Sequence, residues 1–166
     1  MSFSLDGKTA IVTGAAHGIG LAIARHFVAR GANVMFADMD EDALTHEVGE
    51  EAARGANIAM FAGDLRQKLA QANLLSYTID AFDRVDILVN ASRMLKLSDP
   101  LKLDEDCVEE MLSQNLMTAL RLSQTTARRM IAQAEASQDA KDAAERGDGP
   151  LQSGVIINLS SIAAQR

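Results

Sequence analysis

Eight residues constrain most of what this chain can become. Thr13-Gly14-Ala15-Ala16-His17-Gly18-Ile19-Gly20 stands between a β-branched, apolar run over residues 8–13 and an amphipathic stretch over residues 18–30. The run reads as a buried parallel strand. In the stretch, Ile19, Ala22, Ile23, Phe27 and Val28 recur at helical steps and Gly31 supplies a stop, so a helix of about three turns is expected. Gly14 permits a sharp turn off the strand. Gly18 lets the backbone approach a phosphate, and Gly20 lets the helix pack tightly on the sheet. A helix N-terminus offers unpaired N–H groups and a partial positive charge, so His17, Gly18, Ile19 and Gly20 form an expected seat for a pyrophosphate.

A second feature is in register with the first. Residues 33–37 read as a buried strand closed by Asp38, eighteen residues beyond Gly20. An acid at this spacing accepts hydrogen bonds from the hydroxyls of an adenosine ribose. A 2′-phosphate in the same place would meet the Asp38 carboxylate at short range, and Asp38-Met39-Asp40-Glu41-Asp42 holds no arginine or lysine to neutralise it. NAD is therefore expected over NADP. The competing reading, a tight strand–helix turn followed by a surface acid, leaves the coincidence of the two features unexplained.

The remaining chain repeats the same unit. Helices are expected over residues 40–54 and 66–82, and strands over 56–62 and 85–90. A long helical stretch over 104–142, broken by Gly147-Asp-Gly-Pro150, precedes a fifth strand over 155–159. Strands alternating with helices imply right-handed crossovers and a parallel sheet covered on both faces. With 166 residues, 48% of them hydrophobic, the chain suits one domain over residues 1–166 with its own core. A net charge of −7 argues against a nucleic-acid or anionic-membrane partner. The basic pair Arg128-Arg129 is expected to face solvent. Cys107 is the single cysteine, which excludes an internal disulfide and the usual zinc spacings; with no apolar run of signal or membrane length, a cytoplasmic protein is expected.

The spacing Thr-Gly-x-x-x-Gly-Ile-Gly, followed in order by Gly63-Asp64-Leu65, Asp86-Ile-Leu-Val-Asn90, Asn115-Leu116 and Ile156-Ile-Asn-Leu-Ser-Ser161, resembles the short-chain dehydrogenase/reductase family along the whole chain. The resemblance implies a three-layer, Rossmann-like α/β fold with a doubly wound parallel sheet of strand order 3-2-1-4-5, lacking the family's last strands. It implies an NAD-dependent oxidoreductase acting on a small-molecule alcohol or carbonyl, and a homo-oligomer built through the fourth and fifth helices. Carried over by residue, it places Gly14, Ala16, His17, Gly18, Ile19, Gly20 and Asp38 on the cofactor. Asp64 would bind the adenine amino group with Leu65 beside the ring, and Asn90 and Ala91 would lie near the adenosine ribose. Asn115 would kink its helix to hold a water in a proton relay, and Ser161 would polarise the substrate carbonyl or hydroxyl. A serine at the carboxyl end of a parallel strand is well placed for that task, although it can equally satisfy a backbone group.

Two departures stand against the family pattern. Asn-Asn-Ala-Gly after the fourth strand is here Asn90-Ala91-Ser92-Arg93, which puts sheet-to-helix hydrogen bonds and close cofactor approach in question. The family's acid/base tyrosine, with a lysine four residues on, does not follow Ser161 within the 166 residues. Tyr77 is expected to be a packing residue, with Ala81 where the lysine would stand, and neither Ser161 nor Asn115 replaces a proton donor at neutral pH. His26 and His46 are expected to be structural, and His17 to face phosphate or solvent. Met94, Leu95 and Leu97 suit either a substrate wall or the core. The expectation is thus the cofactor-binding part of an oxidoreductase whose Tyr and Lys lie beyond this chain. The alternatives are an inactive dinucleotide-binding or subunit-interaction domain and, more weakly, a structural protein.

Overall fold

The computed structural model describes residues 4–54, 57–99, 101–102, 105–137 and 154–161. The elements run β1 (Thr9–Thr13), α1 (Gly18–Ala29), β2 (Asn33–Asp38), α2 (Glu41–Ala53), β3 (Ile58–Ala62), α3 (Lys68–Phe82), β4 (Ile87–Asn90), α4 (Glu105–Leu112), a π-helical turn (Ser113–Met117), α5 (Thr118–Ala136) and β5 (Val155–Asn158). All pairings are parallel in the order β3-β2-β1-β4-β5, as the resemblance implied.

Alternation along the strands builds two cores from one sheet. Ala10, Val12, Val34, Phe36 and Val89 pack with Ala24 of α1 and with Leu44 and Val48 of α2. The intervening Ile11, Met35 and Leu88 pack with Leu74 of α3 and with Leu122 and Met130 of α5. Every residue of β1 is buried, which fits a central strand with helices on both faces.

Local chemistry sets the element ends. Gly31 takes φ +85° just beyond α1, and Asp83 ends α3 in the left-handed region at φ 65°. The Asp40 side chain caps α2 by accepting the Ala43 N–H at 2.9 Å. The third helix begins two residues later than its periodicity suggests because Asp64 to Gln67 form a turn, Gln67 N–H donating to the Asp64 carbonyl at 3.0 Å. Ahead of β4, the Gln133 side chain of α5 takes both backbone groups of Val85, at 3.0 and 2.9 Å. Buried Asp86 accepts the Thr9 N–H at 2.9 Å and a two-pronged contact from Arg84 at 2.8 and 2.7 Å, tying β1 to the approach of β4.

The expected single helix over 104–142 is instead two helices joined by the π turn. Thr118 donates its backbone N–H and, at 2.9 Å, its hydroxyl to the Ser113 carbonyl five residues back. The segment from 138 and the Gly147-Asp-Gly-Pro150 break lie outside the described residues. Tyr77 also departs from expectation. It is 50% exposed, because the inward face of α3 is Gln71, Leu74 and Thr78, and Tyr77 instead lines an open hollow beside edge strand β3 with Met60 and Phe61. At the opposite edge Ile156 packs inward while Val155 and Ile157 remain exposed.

Candidate functional site

The carboxyl ends of β1, β2 and β4 converge on the glycine turn. Gly14 leaves β1 at φ +69°, and a Cβ there would stand 2.8 Å from the Ser92 backbone. A Cβ on Gly20 would stand 2.1 Å from the Gly14 carbonyl oxygen, so the start of α1 is seated directly on the turn. Gly18 differs from both. Its φ is +54° and a Cβ would meet nothing within 4 Å, so the backbone there borders open space. His17 supplies no side-chain cap, and the first intrahelical pairing is Leu21 N–H to the His17 carbonyl at 3.1 Å. The N–H groups of Gly18, Ile19 and Gly20 therefore precede any acceptor within the helix. With Ile19 68% exposed and Ala15 and Ala16 buried, this N-terminus has the chemistry of an anion seat.

Asp38 ends β2 beside it. Oδ2 accepts the Ala16 N–H at 3.1 Å, and Oδ1 accepts the N–H groups of Met39 at 2.8 Å and Asp40 at 3.2 Å. A carboxylate offers about four acceptor sites, so the turn fixes Asp38 and leaves Oδ2 able to take a further donor. His17 is exposed, with Nε2 at 3.2 Å from Asp40 Oδ2. The Ala43 N–H first, and His17 second, hold the Asp40 carboxyl below its usual range. His26 and His46 lie on exposed faces of α1 and α2, and Arg128 is exposed on α5.

Gly63 N–H donates to the Asp38 carbonyl at 2.8 Å, bringing the Gly63-Asp64-Leu65 corner alongside. The Asp64 carboxylate is held below its usual range, chiefly by the Arg66 side chain, whose guanidinium is raised in turn. Leu65 is only 5% exposed and packs in the core on the α3 side, so its side chain offers little surface to a ligand.

After β4, Asn90 is buried and donates from Nδ2 to Ser123 Oγ at 3.1 Å and to Asn158 Oδ1 at 2.8 Å, which joins β4 to α5 and β5. Thr13 Oγ1 accepts the N–H groups of Ala91 at 3.1 Å and Ser92 at 3.2 Å. Ser92 Oγ lies 3.3 Å from Thr13 Oγ1 and accepts from Gln114 Nε2 at 3.3 Å. The sheet-to-helix link put in question by the loss of the family's second Asn is thus made by Ser92. Asn115 sits in the π turn, its Oδ1 accepting the Met94 N–H and its Nδ2 donating to the Met94 carbonyl, each at 2.8 Å. This clamp ties the π turn to the loop after β4. Leu95 and Leu97 are 68% and 91% exposed, so the core reading of these two fails: the loop lies outside the packed layers. Ser161 is exposed three residues beyond β5, and its sheet position is set by Leu159 N–H donating to the Asn90 carbonyl at 3.0 Å.

Thr13, Ser92, Gln114 and Arg66 were not singled out by sequence reasoning. Thr13 and Ser92 lie within the very motifs that were read, and the loss of a polar residue after Asn90 was the available signal for Ser92. Among the described residues no cluster of ligating side chains is arranged for a metal, and no helix is long and apolar enough to cross a membrane.

Comparison with known proteins agrees with this geometry. The profile of the short chain dehydrogenase family matches residues 8–138. A sorbitol dehydrogenase of Cereibacter sphaeroides is 30% identical over 162 residues, covering 98% of this chain and 56% of the relative. 3beta-hydroxysteroid dehydrogenase 2 of Eggerthella lenta is 28% identical over 159 residues, covering 95% and 55%. The chain thus spans about half the length of these relatives. A solved 7 alpha-hydroxysteroid dehydrogenase, complexed with NADH and 7-oxo glycochenodeoxycholic acid, superposes with a TM-score of 0.79 at 29% identity over 98% of this chain and 56% of its own. By its profile match, its parallel sheet and its glycine turn, the chain belongs to the short-chain dehydrogenase/reductase family.

Proposed function

We propose that this chain carries the cofactor-binding half of an NAD(H)-dependent oxidoreductase that interconverts an alcohol and a ketone or aldehyde. The observation that carries the reading is the start of α1, where the N–H groups of Gly18, Ile19 and Gly20 have no helical acceptor and the backbone at Gly18 borders open space. These groups fit a pyrophosphate, and the acceptor site left on Asp38 Oδ2 fits a ribose hydroxyl. In this reading Gly14, Ala16 and His17 shape the seat, Asp64 accepts the adenine amino group at a corner that includes Leu65, and Asn90 and Ala91 line the floor behind the ribose. When bound, NAD supplies the hydride acceptor or donor.

In this reading Ser161 is the catalytic group of this chain and Asn115 is a positioning residue. The Ser161 hydroxyl donates to the oxygen that gains charge as a carbonyl is reduced. Asn115 acts through its clamp on Met94, fixing the π turn beside the same crevice. The dehydrogenase names of the relatives and the NADH in the solved structure support the same chemistry. Calorimetric titration of NADH into the protein is the test. Saturable binding is expected, and none at millimolar NADH would overturn the reading.

A further inference from the structure

Arg66 stands two residues beyond Asp64 and hydrogen-bonds to its carboxylate. Its backbone N–H reaches Asp64 Oδ1 at 3.0 Å, Nε reaches Oδ1 at 2.9 Å and Oδ2 at 3.1 Å, and Nη2 reaches Oδ2 at 2.9 Å. Both side chains are about 70% buried, at 27% and 30% exposure, so the pair is shielded more than a surface ion pair. The paired prongs and the backbone donor use most of the carboxylate's acceptor sites and fix the plane of those that remain.

A carboxylate on a short turn ordinarily turns about its terminal bond, and an acceptor that turns cannot select one donor direction. Arg66 removes that freedom. Glu110 of α4, which pairs with Lys96 of the loop after β4, adds a minor attraction to the Arg66 charge.

We propose that Arg66 is a positioning residue for adenine recognition, orienting the Asp64 carboxylate so that a remaining lone pair selects an amino group over a carbonyl. This rests on the dinucleotide reading above. The side chain need touch no ligand; its effect passes through Asp64 alone.

The test compares calorimetric affinities for NADH and for reduced nicotinamide hypoxanthine dinucleotide, which carries a carbonyl where adenine carries its amino group. Wild-type protein is expected to favour NADH about tenfold, the scale of one hydrogen bond to a charged group. Arg66→Met is expected to lose that preference by weakening NADH about tenfold while leaving the hypoxanthine analogue within about twofold. Arg66→Lys keeps the charge without the fork and is expected to lose most of the preference too, which preserves the test where the methionine variant fails to fold. A merely structural role for Arg66 would weaken both ligands equally. Retention of the tenfold preference in a folded variant, or equal weakening of both ligands, overturns the proposal while the dinucleotide reading stands. Equal wild-type affinity for the two ligands overturns the role of Asp64 and the proposal with it, and absence of NADH binding overturns the dinucleotide reading itself.

Discussion

Replacing Gly20 with alanine puts the seat of α1 to a quantitative test. The new methyl would lie 2.1 Å from the Gly14 carbonyl oxygen and 2.7 Å from its carbon, against ordinary contact from 3.4 Å upward. Both neighbours are backbone, so no side chain can swing aside. Gly14 cannot retreat freely either, because a Cβ there would already stand 2.8 Å from the Ser92 backbone. The start of α1 must lift by more than an ångström, disturbing the contact of Ala24 with the sheet. Overpacking of this kind costs about 1–3 kcal/mol. At roughly 2–4 °C per kcal/mol for a domain of this size, the melting temperature should fall by about 2–12 °C. The natural control is Gly18→Ala, where φ is +54° but the space is open. There the left-handed backbone alone costs about 1–2 kcal/mol. Melting by circular dichroism and NADH titration of both variants should separate them: Gly20→Ala the larger loss of stability, Gly18→Ala the larger loss of NADH affinity per degree of melting. Wild-type melting of Gly20→Ala, or the reverse ranking, would refute the account of how the turn is packed.

Other positions give independent checks. Leu122 is fully buried on α5, and Leu122→Ala should cost about 2–5 kcal/mol in urea denaturation, the midpoint falling at unchanged slope. Asp86→Ala strips the Thr9 N–H and the Arg84 fork of their acceptor and should cost about 1–3 kcal/mol by the same assay. The Asp64 carboxyl is lowered in the folded chain, first by the Arg66 side chain, so its stabilisation is complete above the ordinary carboxylate value of about 3.9 and is lost as pH falls from there toward the lowered folded value. Melting temperature plotted against pH should therefore drop less steeply on the acid limb in Asp64→Asn than in the wild type.

The sequence made the frame legible because β1 and β2, at the middle of the sheet, are bounded by residues with one job. Gly14, Gly31 and Asp38 mark their ends, and burial on both faces leaves these two strands as largely apolar runs. The resemblance implied a kink at Asn115, but the residue pattern by itself did not: no proline or glycine interrupts residues 105–136, and the Asn115 side chain meets the Met94 backbone twenty-one residues away only once the chain has folded. Tyr77 was misjudged for a related reason. Apolar neighbours at helical spacing show that α3 has a buried face but not how far round the helix it extends, and beside an edge strand it is narrow. In the candidate site, the residues assigned to a ligand were read from their motifs, whereas those that hold them in place were not. Arg66 and Ser92 act only through contacts that folding creates, with Asp64 in one case and with Thr13 and Gln114 in the other.

The central claim is that α1 and Asp38 together seat a dinucleotide whose adenosine ribose carries free hydroxyls. The most direct measurement is the ratio of calorimetric dissociation constants for NADH and NADPH at low ionic strength, in the wild type and in Asp38→Asn. A 2′-phosphate beside the fixed Asp38 carboxylate should weaken NADPH by at least about tenfold, and the neutral variant should narrow the gap, with the wild-type gap itself shrinking in high salt. Equal affinity for the two ligands, or tighter binding of NADPH by the wild type, would contradict the account.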